Sequence, residues 1–410
     1  MTATQTFMLW QPTLPDRYTT MSEDDLVNDI AARKKQLGNE LVILGHHYQQ
    51  DDVIRFADFT GDSFKLSQLA ARKVEETGAK YVVFLGVHFM AESADILTPE
   101  GTTVILPDLG AGCAMADMAS YEQALEAWDE LHDLLTGART SARTTNAHTS
   151  VRLIPICYMN CSAAIKAFCG RNGGAVCTSS NADRVLEWAL AGGTQPKRDG
   201  EEIKILFLPD QHLGRNTAKA MGYSVDNDMC VWDPKAIEGL GGNDEDTLQR
   251  STFILWKGHC SVHKLFRPEH VDDIREQWPD VNVMVHPECD HTVVDKADFS
   301  GSTEGILNTV RAAAPGSRWA IGTEVHMVNR LAQEMKAKDV TVRILSDCQC
   351  LCTTMYRIDT PHLLWVLDNL ADGKVVNQIT VHPEVQELAI VALNRMLELI
   401  GHGNIAKVSD

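Results

Sequence analysis

A chain of 410 residues, 44% apolar and 23% charged, can bury two or three cores, and this composition excludes the disordered and fibrous classes. A net charge of −19 argues against a protein that grips phosphate backbones, so no nucleic-acid partner is expected, while small anionic substrates stay open. No apolar run reaches the ~18–20 residues that cross a bilayer, and MTATQTFMLWQPTLPDRY lacks an export pattern, so a cytoplasmic protein with no membrane partner is expected.

Short runs rich in Val, Ile and Leu recur along the chain, most followed by a polar cluster and a helical pattern, as in parallel strands with crossover helices. After an N-terminal extension (1–20), a first α/β unit is expected over 21–149. In it LVILGHHYQ ends at His46, FTGDSFKLSQLAARKV places Ser63 at a helix start, and YVVFLGVHFMAE and TTVILPDLGAGC follow, the last ending at Cys113. A second unit (150–275) has VRLIPICYMN ending at Tyr158 and Asn160, and AVCTSSNADRVLEWAL with Ser179 at a helix start. IKILFLPDQHLG and TFILWKGHC follow, ending at Cys260. In a third unit (276–360), VNVMVHPEC carries His286 and Glu288, ADFSGSTEGILNTV places Ser302 and Thr303 at a helix start, and RWAIGTEVHM precedes VTVRILSDCQCLC. The remaining stretch (361–410), including PEVQELAIVALNRMLELI, reads as helices packing back on the first unit.

The order repeats three times: a reactive polar residue, a hydroxyl at a helix start, a third strand, then cysteine. The fold class expected is α/β, with three homologous units of parallel sheet around a pseudo-threefold axis. Ligand sites in such sheets lie beyond the C-terminal strand ends, where all these residues fall, which places the active site at the shared centre.

Eleven cysteines, an odd number, argue against a disulfide framework and for metal ligation or catalysis. Cys157, Cys169, Cys177, Cys230 and Cys289 read as apolar filler. Cys113 and Cys260 follow strand ends in Gly-rich loops, where backbone N–H groups can face a cluster's sulfurs. Three thiolates on a four-iron cluster leave one iron open as a Lewis acid, with a three-Cys zinc site as the competing reading. Cys348, Cys350 and Cys352 alternate along one segment, and spacing does not choose among them. Ser63, Ser179 and Ser302 or Thr303 are explained singly by N-capping, but three helix N-termini at one cavity would suit about three anionic groups. His46, His47, Tyr158, His286 and Glu288 lie just beyond strands, and Glu288 beside a desolvated cavity is expected to have a pKa suited to acid–base work. Asp210 and Glu324 read as helix caps or ion-pair members.

The motifs GHHYQ, GDSFKLS, GVHFMAES, GAGCAMA, CYMNCSAAIKA, TSSNA, LPDQHLG, WKGHCSVH, HPEC, GST, GTEVHM and CTTM, in this order, resemble the quinolinate synthase family of NAD biosynthesis. The resemblance runs from about residue 23 to the C-terminal helix. It implies three homologous α/β domains and a [4Fe–4S] cluster on Cys113, Cys260 and Cys352, the last because CTTM fits the family's C-x-x-M pattern. It also implies condensation of iminoaspartate with dihydroxyacetone phosphate to quinolinate, phosphate and water, with the enzyme that supplies iminoaspartate as a partner. His46, Ser63, Tyr158, Asn160, Ser179, His286, Glu288 and Thr303 then line the substrate site, with Tyr158, Glu288 and His286 catalytic. Two departures are Cys161, where the family often has Thr or Ser, and a longer FCGRNGGAVC stretch. The rival readings are another [4Fe–4S] hydro-lyase and a non-catalytic zinc or thiol-redox protein.

Overall fold

The computed structural model describes residues 11–135, 150–347 and 350–401. Its apolar runs become strands that are buried along most of their length, because helices cover both faces of parallel sheets. The first sheet is built from β1 (Leu41–His46), β2 (Phe59–Gly61), β3 (Tyr81–Leu85) and β4 (Thr103–Ile105). The second holds β5 (Val151–Tyr158), β6 (Ala175–Cys177), β7 (Glu202–Leu208), β8 (Met229–Trp232) and β9 (Phe253–Trp256). The third holds β10 (Val281–Val285), β11 (Phe299–Ser300), β12 (Arg318–Gly322) and β13 (Thr341–Ile344), and the short β14 (Gln378–Ile379) joins the first sheet.

The strand orders are β14-β4-β3-β1-β2, β6-β5-β7-β9-β8 and β11-β10-β12-β13. Each sheet therefore has one core arrangement: its second strand, its first, its third, then the strand that leads to cysteine. Pairing is parallel throughout except for β14 on β4. The edge strands β8 and β14 are additions that the sequence reading did not contain. The order reverses between the first and third strands, and crevices for ligands open at such points beyond the carboxyl ends.

Residue contacts divide the chain into two compact units, 1–113 with 351–381 and 114–350 with 382–410. The first unit holds the first sheet, and the second holds the other two. The C-terminal stretch also divides. Helix Thr360–Ala371 packs on helix Glu23–Leu37 in the first unit, where Asp368 accepts from Arg17, Tyr18 and Arg33. Helix Pro383–Leu399, expected on the first unit, instead lies along helix Ala163–Arg171 of the second. Gly170 explains the choice. A Cβ there would sit 1.9 Å from the Leu388 carbonyl oxygen, so only glycine lets the two backbones meet, and Arg395 then donates to the carbonyls of Gly170 and Gly174.

Candidate active site

The three sheets present their functional residues at matching positions. First and third strands pair as far as Gly45 with Leu85, Cys157 with Leu208, and Val285 with Gly322. One residue further along stand His46, Tyr158 and His286. Against the second strands, His46 opposes Gly61 and Tyr158 opposes Cys177, two residues before Ser63 and Ser179. Val285 opposes Ser300, so continuing the register by one residue sets His286 against Gly301, two before Thr303. Two residues beyond the third strands come Val87, Asp210 and Glu324, each at the N-cap of a helix.

His46 and His286 are held in the same way. The Tyr48 backbone N–H donates to His46 Nδ1 at 3.1 Å, and that of Glu288 donates to His286 Nδ1 at 3.3 Å. Each ring, when neutral, therefore carries its proton on Nε2, where it can donate to an anion. Both are buried. Burial first, then the neighbouring His263, brings the His286 pKa down to about 3 against the pull of Glu288, so the ring is neutral at neutral pH.

Glu288 is buried and sits in a polar network. Its Oε2 lies 2.9 Å from His263 Nδ1, and His263 Nε2 lies 3.1 Å from Thr323 Oγ1. The His263 ring stacks on His286 with centroids 4.5 Å apart, and the Tyr158 hydroxyl also hydrogen-bonds to Glu288. Burial alone would raise the carboxyl's pKa, but the His263 and His286 imidazoles and the hydrogen bonds from His263 and Tyr158 outweigh it and bring it to about 2. The expectation of a Glu288 tuned for acid–base work near neutrality is thus corrected: it is a resident anion. His263 and Thr323 were missed by the sequence reading. The available signal was the offset of His263 from Cys260, three residues within one turn.

The helix starts hold at Ser63 and Thr303 and need correction at Ser179. Ser63 is the first residue of its helix, and the cap is Asp62, which accepts from the Lys65 N–H at 2.9 Å. Ser302 caps the helix that Thr303 begins. Ser179 precedes its helix altogether: Ala182 starts it, Asn181 is the cap residue, and the Asn181 side chain turns back to accept from the Thr178 N–H at 2.7 Å. Asp210 and Glu324 do cap helices, and burial followed by the Glu288 carboxylate pushes the Asp210 carboxyl well up. Asn160 is part-exposed in the loop after Tyr158. That loop is anchored by the buried Lys166, which donates to the Cys161 carbonyl at 2.5 Å. Cys161, Cys169 and Cys177 are buried with Cys157, and burial raises the thiols of Cys157, Cys169 and Cys177, as fits packing rather than reactivity.

Among the described cysteines, Cys113, Cys260 and Cys352 are part-exposed and the other seven are buried. Each of the three is followed by an identical local fold: two turn residues, then a single 3₁₀ turn, at Ala116–Met118, His263–Leu265 and Met355–Arg357. Cys350 differs. It is buried, its Sγ lies 3.3 Å from Ser346 Oγ, and its carbonyl accepts from the Val325 N–H. Cys348 lies outside the described residues. Accessible soft donors in one repeated setting fit an iron–sulfur cluster, whereas the buried thiols do not.

The buried imidazoles carry a pH dependence. His212, through burial and then the charge of Arg215, titrates at about 4, and His286 at about 3, against 6.5 for an ordinary histidine. Between these values the unfolded chain binds protons that the native one refuses. Stability should be full above about pH 6.5 and fall progressively below it; Glu288 adds its own loss only below about pH 4.5. The urea midpoint should therefore be lower at about pH 5 than at about pH 7, and equal midpoints would contradict the assignment.

The profile of the family described as NadA, quinolinate synthetase A protein, matches residues 28–398. The quinolinate synthase of Acidobacterium capsulatum is 52% identical over 386 residues, which are 94% of this chain and 96% of that one. The quinolinate synthase of Streptomyces coelicolor is 50% identical over 94% of this chain and 91% of its own. That of Geobacillus thermodenitrificans is 50% identical over 94% and 96%. With this extent of similarity, the chain belongs to the quinolinate synthase family of NAD-biosynthesis enzymes.

Proposed function

We propose that the chain condenses iminoaspartate with dihydroxyacetone phosphate to give quinolinate, inorganic phosphate and two molecules of water. The bonds formed are one carbon–carbon and one carbon–nitrogen bond that close the ring. The observation that carries the cofactor side of this reading is the threefold recurrence of a part-exposed cysteine before one 3₁₀ turn. Cys113, Cys260 and Cys352 would hold the [4Fe–4S] cluster, which when bound supplies a Lewis-acidic iron for substrate oxygens.

The chain's own residues do the rest. His46 and His286 offer Nε2–H donors, and Ser63, Ser179 and Thr303 offer hydroxyls at corresponding register positions, suited to two carboxylates and one phosphate. With Asn160, these groups bind and orient the substrates. Tyr158 is the proton donor, and its hydroxyl is aimed by its bond to Glu288. Glu288, ionised throughout the working range, offsets the positive charge of the nitrogen species that ring closure generates. His263 and Thr323 hold the Glu288 carboxylate in place.

Anaerobically prepared enzyme should form quinolinate only when both substrates are present. Phosphate and quinolinate should appear in equal amounts. Turnover independent of the triose phosphate would instead identify a hydro-lyase of different specificity.

A further inference from the structure

The turn that carries His286 and Glu288 is gripped by one side chain that the reading above does not use. Asn216, on helix Gln211–Ala220, is buried, and its Nδ2 donates to the carbonyls of Pro287 and Cys289 at 2.8 Å each. These carbonyls belong to the residues on either side of Glu288, in the 287–288 and 289–290 peptides. Both accept only, so the orientation of the amide is fixed: the nitrogen faces the turn.

The support behind Asn216 is rigid. Asp210 Oδ1 accepts from the N–H groups of His212 and Leu213 and so ties the helix to the end of β7. At Gly214 a Cβ would lie 2.8 Å from both Phe207 and Leu255, so the helix sits closer to its sheet than any larger residue would allow. Within the turn itself the remaining bonds are Cys289 N–H to the His286 carbonyl, at 3.0 Å, and the longer one from Glu288 N–H to His286 Nδ1. Both run back to His286 and close the turn on itself, whereas the Asn216 bonds tie the turn to the neighbouring helix.

We infer that Asn216 is a positioning residue for catalysis: its two N–H groups hold the carbonyls of the residues on either side of Glu288 against helix Gln211–Ala220 and so aim the carboxylate at His263 and Tyr158. This rests on the role proposed for Glu288. Asparagine suits the task because it places two donors on one short-armed atom. Aspartate would set anionic oxygen against two carbonyls, and leucine keeps the shape with no donor. A misplacement of about 1 Å at a reacting group can lower a rate ~10²-fold, so a residue that touches no substrate can still govern turnover.

The test uses the cluster-loaded enzyme with Asn216→Leu, Glu288→Gln and the double variant. Asn216→Leu should retain its iron and lose ~10–100-fold in kcat, with KM for both substrates within about threefold of wild type. In the Glu288→Gln background the same change should cost less than about twofold more, because the group being aimed is already disabled. Normal kcat in Asn216→Leu, beside an inactive Glu288→Gln, overturns the inference alone. Multiplicative losses in the double variant overturn it too, since Asn216 would then act elsewhere. Near-normal turnover of Glu288→Gln fails the role of Glu288 instead. Should the leucine variant not fold, Asn216→Ser keeps one donor and is read on the same split: a kcat loss at constant KM supports the clamp, and unchanged kcat overturns it.

Discussion

Glu288→Gln should lower kcat by ~10²–10³-fold while the enzyme keeps its iron and binds both substrates nearly as before. The substitution preserves shape and removes charge. The wild-type carboxylate accepts from His263 at 2.9 Å and from the Tyr158 hydroxyl, and it keeps its charge down to a pH of about 2. An amide in its place is neutral and brings an NH2 group that can only donate, so His263 and Tyr158 no longer face an anion. Tyr158 then loses its aim, and the site loses its fixed negative charge. Ground-state binding rests on other groups, which is why KM should change little. The measurement is anaerobic steady-state kinetics with iron analysis on the same sample. A rate within about threefold of wild type would remove Glu288 from the chemistry. Loss of iron would mean that the carboxylate serves the cluster's surroundings rather than the reaction.

The repeat was legible because parallel strands covered on both faces leave unbroken aliphatic runs, and because chemistry collects at their carboxyl ends. LVILGH, VRLIPICY and VNVMV announce β1, β5 and β10, and the next polar residue in each case takes the matching position. Edge strands give no such signal. β14 is two residues long and antiparallel, and β8 is four residues set between turns, so neither shows a period that stands out from a loop. Two helix starts, at Ser63 and Thr303, were found to the residue and the third, near Ser179, to within three, but of their caps only Ser302 was found. In GDSFKLS both Asp62 and Ser63 can cap, and only backbone geometry selects Asp62. The destination of helix Pro383–Leu399 was hidden for a different reason. Its apolar stripe says that it packs but not on what, and the partner is chosen by Gly170, more than 200 residues away in sequence.

His263 illustrates the limit most sharply. A histidine three residues after a candidate ligand reads as ordinary surface or packing. Its meaning comes from Glu288 and Thr323, which approach it from two other segments of the same compact unit. The pKa of Glu288 was misjudged for the same reason. Burial beside a strand end suggests an elevated value, and His263 and Tyr158, from other segments, together with His286 in the same turn, reverse the sign.

Alanine at Cys113, Cys260 or Cys352 should abolish turnover and reduce bound iron from ~4 per chain to well under one, whereas Cys350→Ala should retain both. The contrast follows from setting rather than from residue type. Cys352 is part-exposed and followed by the same turn as Cys113 and Cys260, and its sulfur lies 3.5 Å from Thr354 Oγ1 at the edge of that turn. Cys350, two residues earlier, is closed in beside Ser346 and serves the fold through its carbonyl, which receives the Val325 N–H at the start of helix Val325–Lys336. To ligate a cluster it would have to leave that setting and expose the backbone bond. Iron and sulfide analysis under anaerobic conditions reads the four variants directly. Iron lost from Cys350→Ala and kept in Cys352→Ala would transfer the third ligand to residue 350, and with it the repeated turn would lose its meaning as a mark of the cluster-holding positions.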